Sequence, residues 1–435
     1  MTDNDKSEGL VAPPEVTGPR PAGGRIDWGH ILRAFKHRNY ALFFAGQGVS
    51  LIGTWMQQQA LLWLVYEITK RRSAMGELTF YSQLPSLPLF LIAGVLGDRW
   101  NRHRMLVVLQ VLAALQALAL AAVTYWGGVQ FWHLVVLGMA AGIIRSFEIP
   151  IRQGFVVQML DDPRDLPGAI AMNSFLINAS FVIGPTLGGL LIHLSGDKAA
   201  PCFLINAISF IAVIVALLAM KVAKSRPVAR GESPLRTLWE GLKYTALHKQ
   251  IRGSILFVAF TSFVAMQYAT LMPVFAGGNA RVQGYLLSAA GAGAMIGALF
   301  IASQKSPERL HKLITGGALV FGVGLALFAY SRFLWLSLPL LVLAGVGRMI
   351  QMASANTYVQ TLVDDDKRTR VMAFHAMAFM GVAPFGALYL GLIASTAMRA
   401  EGAVLLAGLA CVGGAIAFAG RLPKAHRREE AHRET

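Results

Sequence analysis

Arg145, Glu148 and Arg152 stand in "GIIRSFEIPIR" (142–152), directly after fourteen residues, 131–144, that carry no charge. Spacings of three and four place all three on one helical face, where the carboxylate can pair with either guanidinium. A carboxylate held between arginines is a candidate proton carrier, because positive neighbours and burial pull its proton affinity in opposite directions. A guanidinium that finds no carboxylate attracts an anionic group instead. A further arginine, Arg348, lies in equally apolar surroundings in "GVGRMIQ" (345–351). Two readings stay open. Either the charges close one end of a helix bundle, or Arg145 and Arg348 bind an anion while Glu148 carries a proton. Arg152 fits the closing role better.

The elements that must position these groups are membrane spans. Of 435 residues, 55% are hydrophobic and only 14% charged, against roughly 25% charged in ordinary soluble domains. A bilayer span needs about 20 mostly apolar residues, and hydropathy places twelve: 39–67, 74–97, 105–126, 131–152, 166–194, 201–221, 252–276, 283–303, 311–331, 333–360, 371–397 and 401–421. Arg145 then falls roughly 21 Å along span 4, still within hydrocarbon, and Arg348 lies at a matching depth in span 10. A charge facing lipid there costs about 2.5–3.5 kcal/mol, so both arginines should face protein or a water-filled cavity.

The net charge of +16 does not point to nucleic acid. Of the 39 Lys and Arg residues, 30 fall on the side of the termini and seven on the other, the asymmetry of a chain with both ends cytoplasmic. Lys70, Arg71 and Arg72 are a local exception. Residues 1–30, polar and rich in Pro and Gly, read as a disordered cytoplasmic tail without a signal peptide, and 423–435 as a second tail. Residues 222–250 are the longest interior polar segment. There Ser233 and Pro234 start an amphipathic surface helix that separates bundles at 31–221 and 251–422. Cys202 and Cys411 fit neither a disulfide nor a metal site.

Span 1 carries a polar stripe of Gln47, Ser50, Thr54 and Gln58, with Gln57 beside it. These groups must find partners in a bilayer; they either bond neighbouring helices or line a cavity, and Trp55 and Trp63 would add aromatic surface. Asn178, Gln267, Tyr268 and Asn356 are similar cavity candidates. His375 reads as packing. In "GPTLGG" on span 5, Pro185 is expected to break the helix midway, and Gly184 and Gly188 to admit a neighbouring backbone; with Gly189 they form a candidate hinge.

The halves repeat. "GIIRSFEIPIRQGFVVQMLDD" (142–162) aligns without gaps on "GVGRMIQMASANTYVQTLVDD" (345–365), and "VIGPTLGGLLI" (182–192) matches "GVAPFGALYLG" (381–391). Repeated six-helix halves are typical of secondary transporters with a midplane site. "GVLGDRWNRHR" (94–104) resembles the major facilitator superfamily signature between helices 2 and 3, and "NSFLINASFVIGPTLGGLL" resembles the helix 5 signature of its drug/proton antiporters. "GQGVSLIGTWMQQQALLWLVYEIT", "PIRQGFV" and "RVMAFHAMAFMGVAPFGAL" are similar to its subfamily of enterobactin-type siderophore exporters and macrolide efflux proteins. Arg145, Glu148 and Phe181 depart from that pattern.

The resemblance implies an all-α membrane protein of twelve transmembrane helices in two pseudo-symmetric six-helix bundles. It makes Gly94, Asp98, Arg99, Arg102 and Arg104, with Arg152, a cytoplasmic gate, and the span 5 glycines and Pro185 a hinge for alternating access. There is no phosphate-binding G-x-x-x-x-G-K-[ST] loop, no metal cluster and no nucleophile–base motif, so neither ATP use, a cofactor nor enzyme activity is expected. The expected function is export of a small amphipathic organic compound, siderophore- or drug-like, by proton antiport across a bacterial inner membrane. The partners are that substrate, protons and membrane lipids, the protein acting as a monomer. The alternatives are a lipid or lysophospholipid transporter of the same fold and a non-transporting receptor or scaffold.

Overall fold

The computed structural model describes residues 32–89, 101–221, 234–304, 309–364 and 367–419. Among these residues all regular structure is helical. Ten helices are long and apolar enough to cross a bilayer: span 3 (Arg102–Tyr125), 4 (Phe131–Met159), 5 (Leu166–Leu194), 6 (Ala200–Leu218), 7 (Lys249–Phe275), 8 (Ala280–Ala302), 9 (Leu310–Ala329), 10 (Leu334–Leu362), 11 (Arg370–Ala394) and 12 (Arg399–Ala419). Span 1 (Arg38–Thr69) has 32 residues, and its run of Gln and Thr makes it less apolar than these ten. Span 2 starts as Arg72–Gln83, turns at Leu84 and Pro85, and resumes to the edge of the described residues.

Local chemistry sets several ends. The Asn101 side chain accepts from the Arg104 N–H to start span 3, and Asn279 accepts from Arg281 and Val282 to start span 8, each satisfying N–H groups that have no helical partner. Span 5 corrects the expectation of a mid-helix break, since it runs unbroken through Pro185 over 29 residues. The breaks fall elsewhere. Span 11 stops at Met380 and restarts at Ala383, beside Gly381 and Pro384. Span 7 is α-helical to Val264, tightens to a 3-10 turn over Met266–Leu271, and ends as a short helix containing Pro273. Proline removes a backbone donor in each.

Two pairs of helices make most of the junction between the halves, span 5 with span 8 and span 2 with span 11, and spans 1 and 2 also touch spans 7 and 8. They do so at one end only. We call the end where span 1 begins and span 12 stops the near end, and the opposite one the far end. A single apolar cluster runs through both halves at the far end, taking in Trp63, Met75, Phe203, Met272, Leu286 and Leu390, and continues down the second half alone to Leu310 and Tyr358. At the near end the first half has a core of its own around Tyr40, Leu106, Phe155 and Phe210, and the second half a separate one around Ile255, Val359 and Val371. The bundles therefore meet at the far end and part towards the near end.

The linker helix (Pro234–Leu247) begins at the expected proline; Ser233 lies outside the described residues. It belongs to the second half. Glu240 pairs with Arg370 at 2.5 Å, the Tyr244 hydroxyl donates to Asp364 at 2.8 Å, and Gly241 lets the helix rest on the Arg370 carbonyl. The first half has a counterpart. His37, at the start of span 1, donates from Nε2 to Asp165 at 2.9 Å, and its Nδ1 lies 3.1 Å from both the Asp161 carboxylate and the Asp161 N–H. Asp161 and Asp364 are equivalent in the internal repeat. In each half, then, the segment entering the first helix clasps the loop that follows the fourth.

Lys70, Arg71 and Arg72 also find an explanation. Lys70 pairs with Glu67 at 2.5 Å and Arg71 with Glu77 at 2.6 Å, while Arg72 donates to the Ala394 carbonyl at the end of span 11. Two of the three charges are neutralised locally, and the third sits at a helix C-terminus, where positive charge is favoured.

Candidate functional site: a cleft between the two bundles

The far-end seal is made by close backbone approach. Gly189 packs on Ala280 and Gly284 on Pro185, with Ala280 C and Pro185 C only 3.0 and 3.1 Å from where a Cβ would stand. Gly76 faces the Ala387 carbonyl and Gly391 in the same way. Side-chain amides reinforce these contacts. Gln59 donates to the Ala280 carbonyl and Gln283 to the Gln59 carbonyl, each at 3.2 Å, and the Trp63 indole donates to Gly278 at 2.6 Å. Thr186 donates to Ser288, and Ser288 to the Val182 carbonyl. Along span 8 the tight packing runs from Ala280 to Gly291, roughly 17 Å of helix rise.

Below that level the cores of the two halves separate, and Arg145 and Arg348 stand near the depth at which they part. Arg145 is exposed, yet it does not face lipid. Trp132, Val136, Ile143 and Val157 are the exposed large apolar residues of span 4, and two residues on from Ile143 lies about 160° around the helix. Arg145 falls instead between the direction of Gly142, which packs on Ser82 of span 2, and that of Glu148, which accepts from Gln110 of span 3 at 3.3 Å. Arg348 of span 10 lies over the Phe181 ring of span 5, its Cζ 6.0 Å from the centroid. Its Nε is buried without a hydrogen-bond partner.

The charges are unequally matched. Glu148 accepts from Arg152 at 3.2 Å, and Arg152 is buried within the first bundle. Arg145 and Arg348 form no ion pair among the described residues. Glu148 balances Arg152, so among these four residues Arg145 and Arg348 leave a net charge of +2.

Other predicted positions sort by their partners. Gln57 is committed to packing: it donates to Gln116 of span 3 at 3.1 Å and accepts from Asn206 of span 6 at 2.8 Å, all buried. Thr54 donates to Ser50 of its own helix, and Asn178 to Ser174. Gln47 is buried and Gln58 half-buried. Tyr268 is buried against Phe321, while Gln267, in the 3-10 turn, is half-buried and Asn356 exposed. Gly184 and Gly188 do admit a backbone, that of span 1 at Ile52 and Met56, whereas Gly189 serves span 8. Arg102 donates to the Gly154 carbonyl at 3.0 Å, joining spans 3 and 4, and Arg104 is exposed. Gly94, Asp98 and Arg99 lie outside the described residues.

Sequence reasoning missed Phe181 as a contact between the halves, and Gln59, Gln283 and Gln110 as partners. Gln59 directly adjoins the stripe read on span 1. Phe181 was visible only as a departure from a motif.

Residues 31–434 match the model of the transmembrane secretion effector family. The chain belongs to that family. Its curated relatives are major facilitator superfamily transporters rather than enzymes. The staphyloferrin A transporter of Staphylococcus aureus is 25% identical over 81% of this chain and 88% of its own length. The multidrug efflux pump Tap of Mycobacterium tuberculosis is 23% identical over 85% and 88%. Among solved structures, the nucleoside transporter NupG superposes with a TM-score of 0.69 at 14% identity, covering 90% of this chain and 100% of NupG, a likeness of fold. This member of the family is therefore a multi-pass, efflux-type secondary transporter of the major facilitator fold.

Proposed function

We propose that the protein exports a small amphipathic organic compound carrying an anionic group, by proton antiport and alternating access across a bacterial cytoplasmic membrane. The near end faces the cytoplasm, so the conformation described is open inward and sealed outward. The observation that carries this reading is the net positive cleft, in which Arg145 and Arg348 lack carboxylate partners. An unpaired guanidinium away from bulk water binds an anion strongly. Glu148 carries the coupling proton. It sits between Arg152 and Gln110, and its protonation releases Arg152 from its one short-range counter-charge. The siderophore and drug transport named for the relatives suits such a cargo. The protein works as a monomer, since both halves of the cleft come from one chain.

The test is flux from proteoliposomes under an imposed pH gradient, screened against siderophores, macrolides, dyes and lysophospholipids. Accumulation of an anionic member that collapses when the gradient is dissipated supports the reading. Flux of lysophospholipid alone favours a lipid transporter, for which the unpaired arginines would hold the phosphate. Flux indifferent to the gradient removes antiport.

A further inference from the structure

Phe181 occupies the level at which the sealed part of the molecule gives way to the open cleft, and both halves meet on its ring. The Trp55 ring of span 1 lies 4.5 Å away, tilted by 58°. On span 8, a Cβ at Gly291 would stand 2.9 Å from Phe181 Cδ1, so the absence of a side chain there makes room for the ring. On span 10, Arg348 rests over the ring face at 6.0 Å.

That resting place is incomplete for a guanidinium. A ring face attracts a cation but offers no lone pair to N–H groups, and the buried Arg348 Nε goes without a partner. An anion at the apex of the cleft would supply both charge and acceptors. It would have to draw Arg348 off the ring to do so.

We propose that Phe181 is a specificity-determining residue: its ring parks Arg348 in the empty cleft and competes with the anionic group of the cargo for it. Release of Arg348 breaks a contact between spans 5 and 10, on opposite halves, so an anion on the cargo is the condition for loosening the apex. The inference rests on the cleft being the cargo site.

The test uses the full-length protein in lipid vesicles and two probes, a fluorescent xanthene dye with a free carboxylate and its methyl ester. Wild type should bind the carboxylate about tenfold tighter than the ester, the ratio that one charge-assisted hydrogen bond supports. Phe181→Leu keeps apolar bulk but removes the competing ring face, so carboxylate affinity should rise about three- to tenfold with the ester unchanged. Phe181→Tyr keeps the ring face and should match wild type. Arg348→Gln should bind both dyes alike. A purely structural Phe181 would weaken both dyes together in Phe181→Leu. That result, or unchanged carboxylate affinity, overturns the competition while loss of preference in Arg348→Gln leaves the cargo site standing. Wild type binding neither dye, or both equally, removes the cargo site and this inference with it. The buried thiols of Cys202 and Cys411, silent to maleimide in a folded variant, check that each variant retains its structure.

Discussion

Gly284 gives the sharpest test of the far-end seal. A methyl group there would meet Pro185 C at 3.1 Å and Thr186 Cα at 3.3 Å, with the Pro185 carbonyl oxygen nearer still. Ordinary contact starts at 3.4 Å, and the obstacle is backbone, which cannot rotate away. Overpacking of this kind costs about 1–3 kcal/mol, while the helix propensity gained when Ala replaces Gly is common to both conformations, span 8 being a helix in each, and cancels. The penalty of about 1–3 kcal/mol falls on the sealed state alone, because separation of spans 5 and 8 relieves it. Gly284→Ala should therefore shift the balance towards the form open at the far end by about 5- to 150-fold. Ser288→Cys reports it, being buried in the seal, through its rate of labelling by a membrane-impermeant maleimide added from the far side. Gly316→Ala is the control, since a Cβ at Gly316 meets nothing within 4 Å. Labelling that does not rise in Gly284→Ala, or rises equally in Gly316→Ala, refutes the reasoning.

Glu148→Gln should retain substrate binding but lose efflux driven by a pH gradient, measured in the same proteoliposomes; undiminished coupled flux excludes Glu148 as the carrier. Asp165 and Asp161 hold the His37 imidazole above its ordinary pKa of 6.5, the Asp165 hydrogen bond acting most strongly against the lowering effect of burial, while Arg33 faces Asp165 from the other side. A raised folded pKa means that the clasp's contribution is fully present below pH 6.5 and fades as pH climbs through the higher folded value. Hydrogen exchange over 161–165 should thus quicken with pH beyond its intrinsic rise, and His37→Gln should flatten that excess. Tyr244→Phe removes the hydroxyl that donates to Asp364 and should lower the stability of the second half by about 1 kcal/mol, read as a lower denaturant midpoint. Asp98→Asn should abolish transport with the protein still in the membrane, as flux and membrane quantity measured together will show.

The spans were legible because apolar length is a one-dimensional property; span 5 runs over the same residues, 166–194, in sequence and structure. The internal repeat was legible because its aligned residues, among them Asp161 and Asp364, can be compared position by position. What could not be read depends on partners far along the chain. Gln57 was a cavity candidate until Gln116 and Asn206, from two other helices, were seen to satisfy its amide. Proline misled in the other direction. Pro185 sits inside a continuous helix braced by spans 1 and 8, while the equivalent Pro384 lies just after a break. A proline at the same place in the repeat thus does not by itself set the break; the residues and packing around it do. Of the three basic residues after span 1, the acidic partners of two stood within six positions, but the Ala394 carbonyl that receives Arg72 did not.

The far-end seal also governs how the transporter answers its surroundings. Among the described residues no carboxylate meets a cation across the halves at that end; the joining groups are amides, hydroxyls, the Trp63 indole, carbonyls and glycine backbones, with the Arg72 guanidinium on the Ala394 carbonyl the charged exception. Ionic strength on the far side has little to screen there, so brine and fresh water should leave the resting conformation nearly alike. Excluded osmolytes, which favour buried over hydrated surface, should instead hold the far-end door shut.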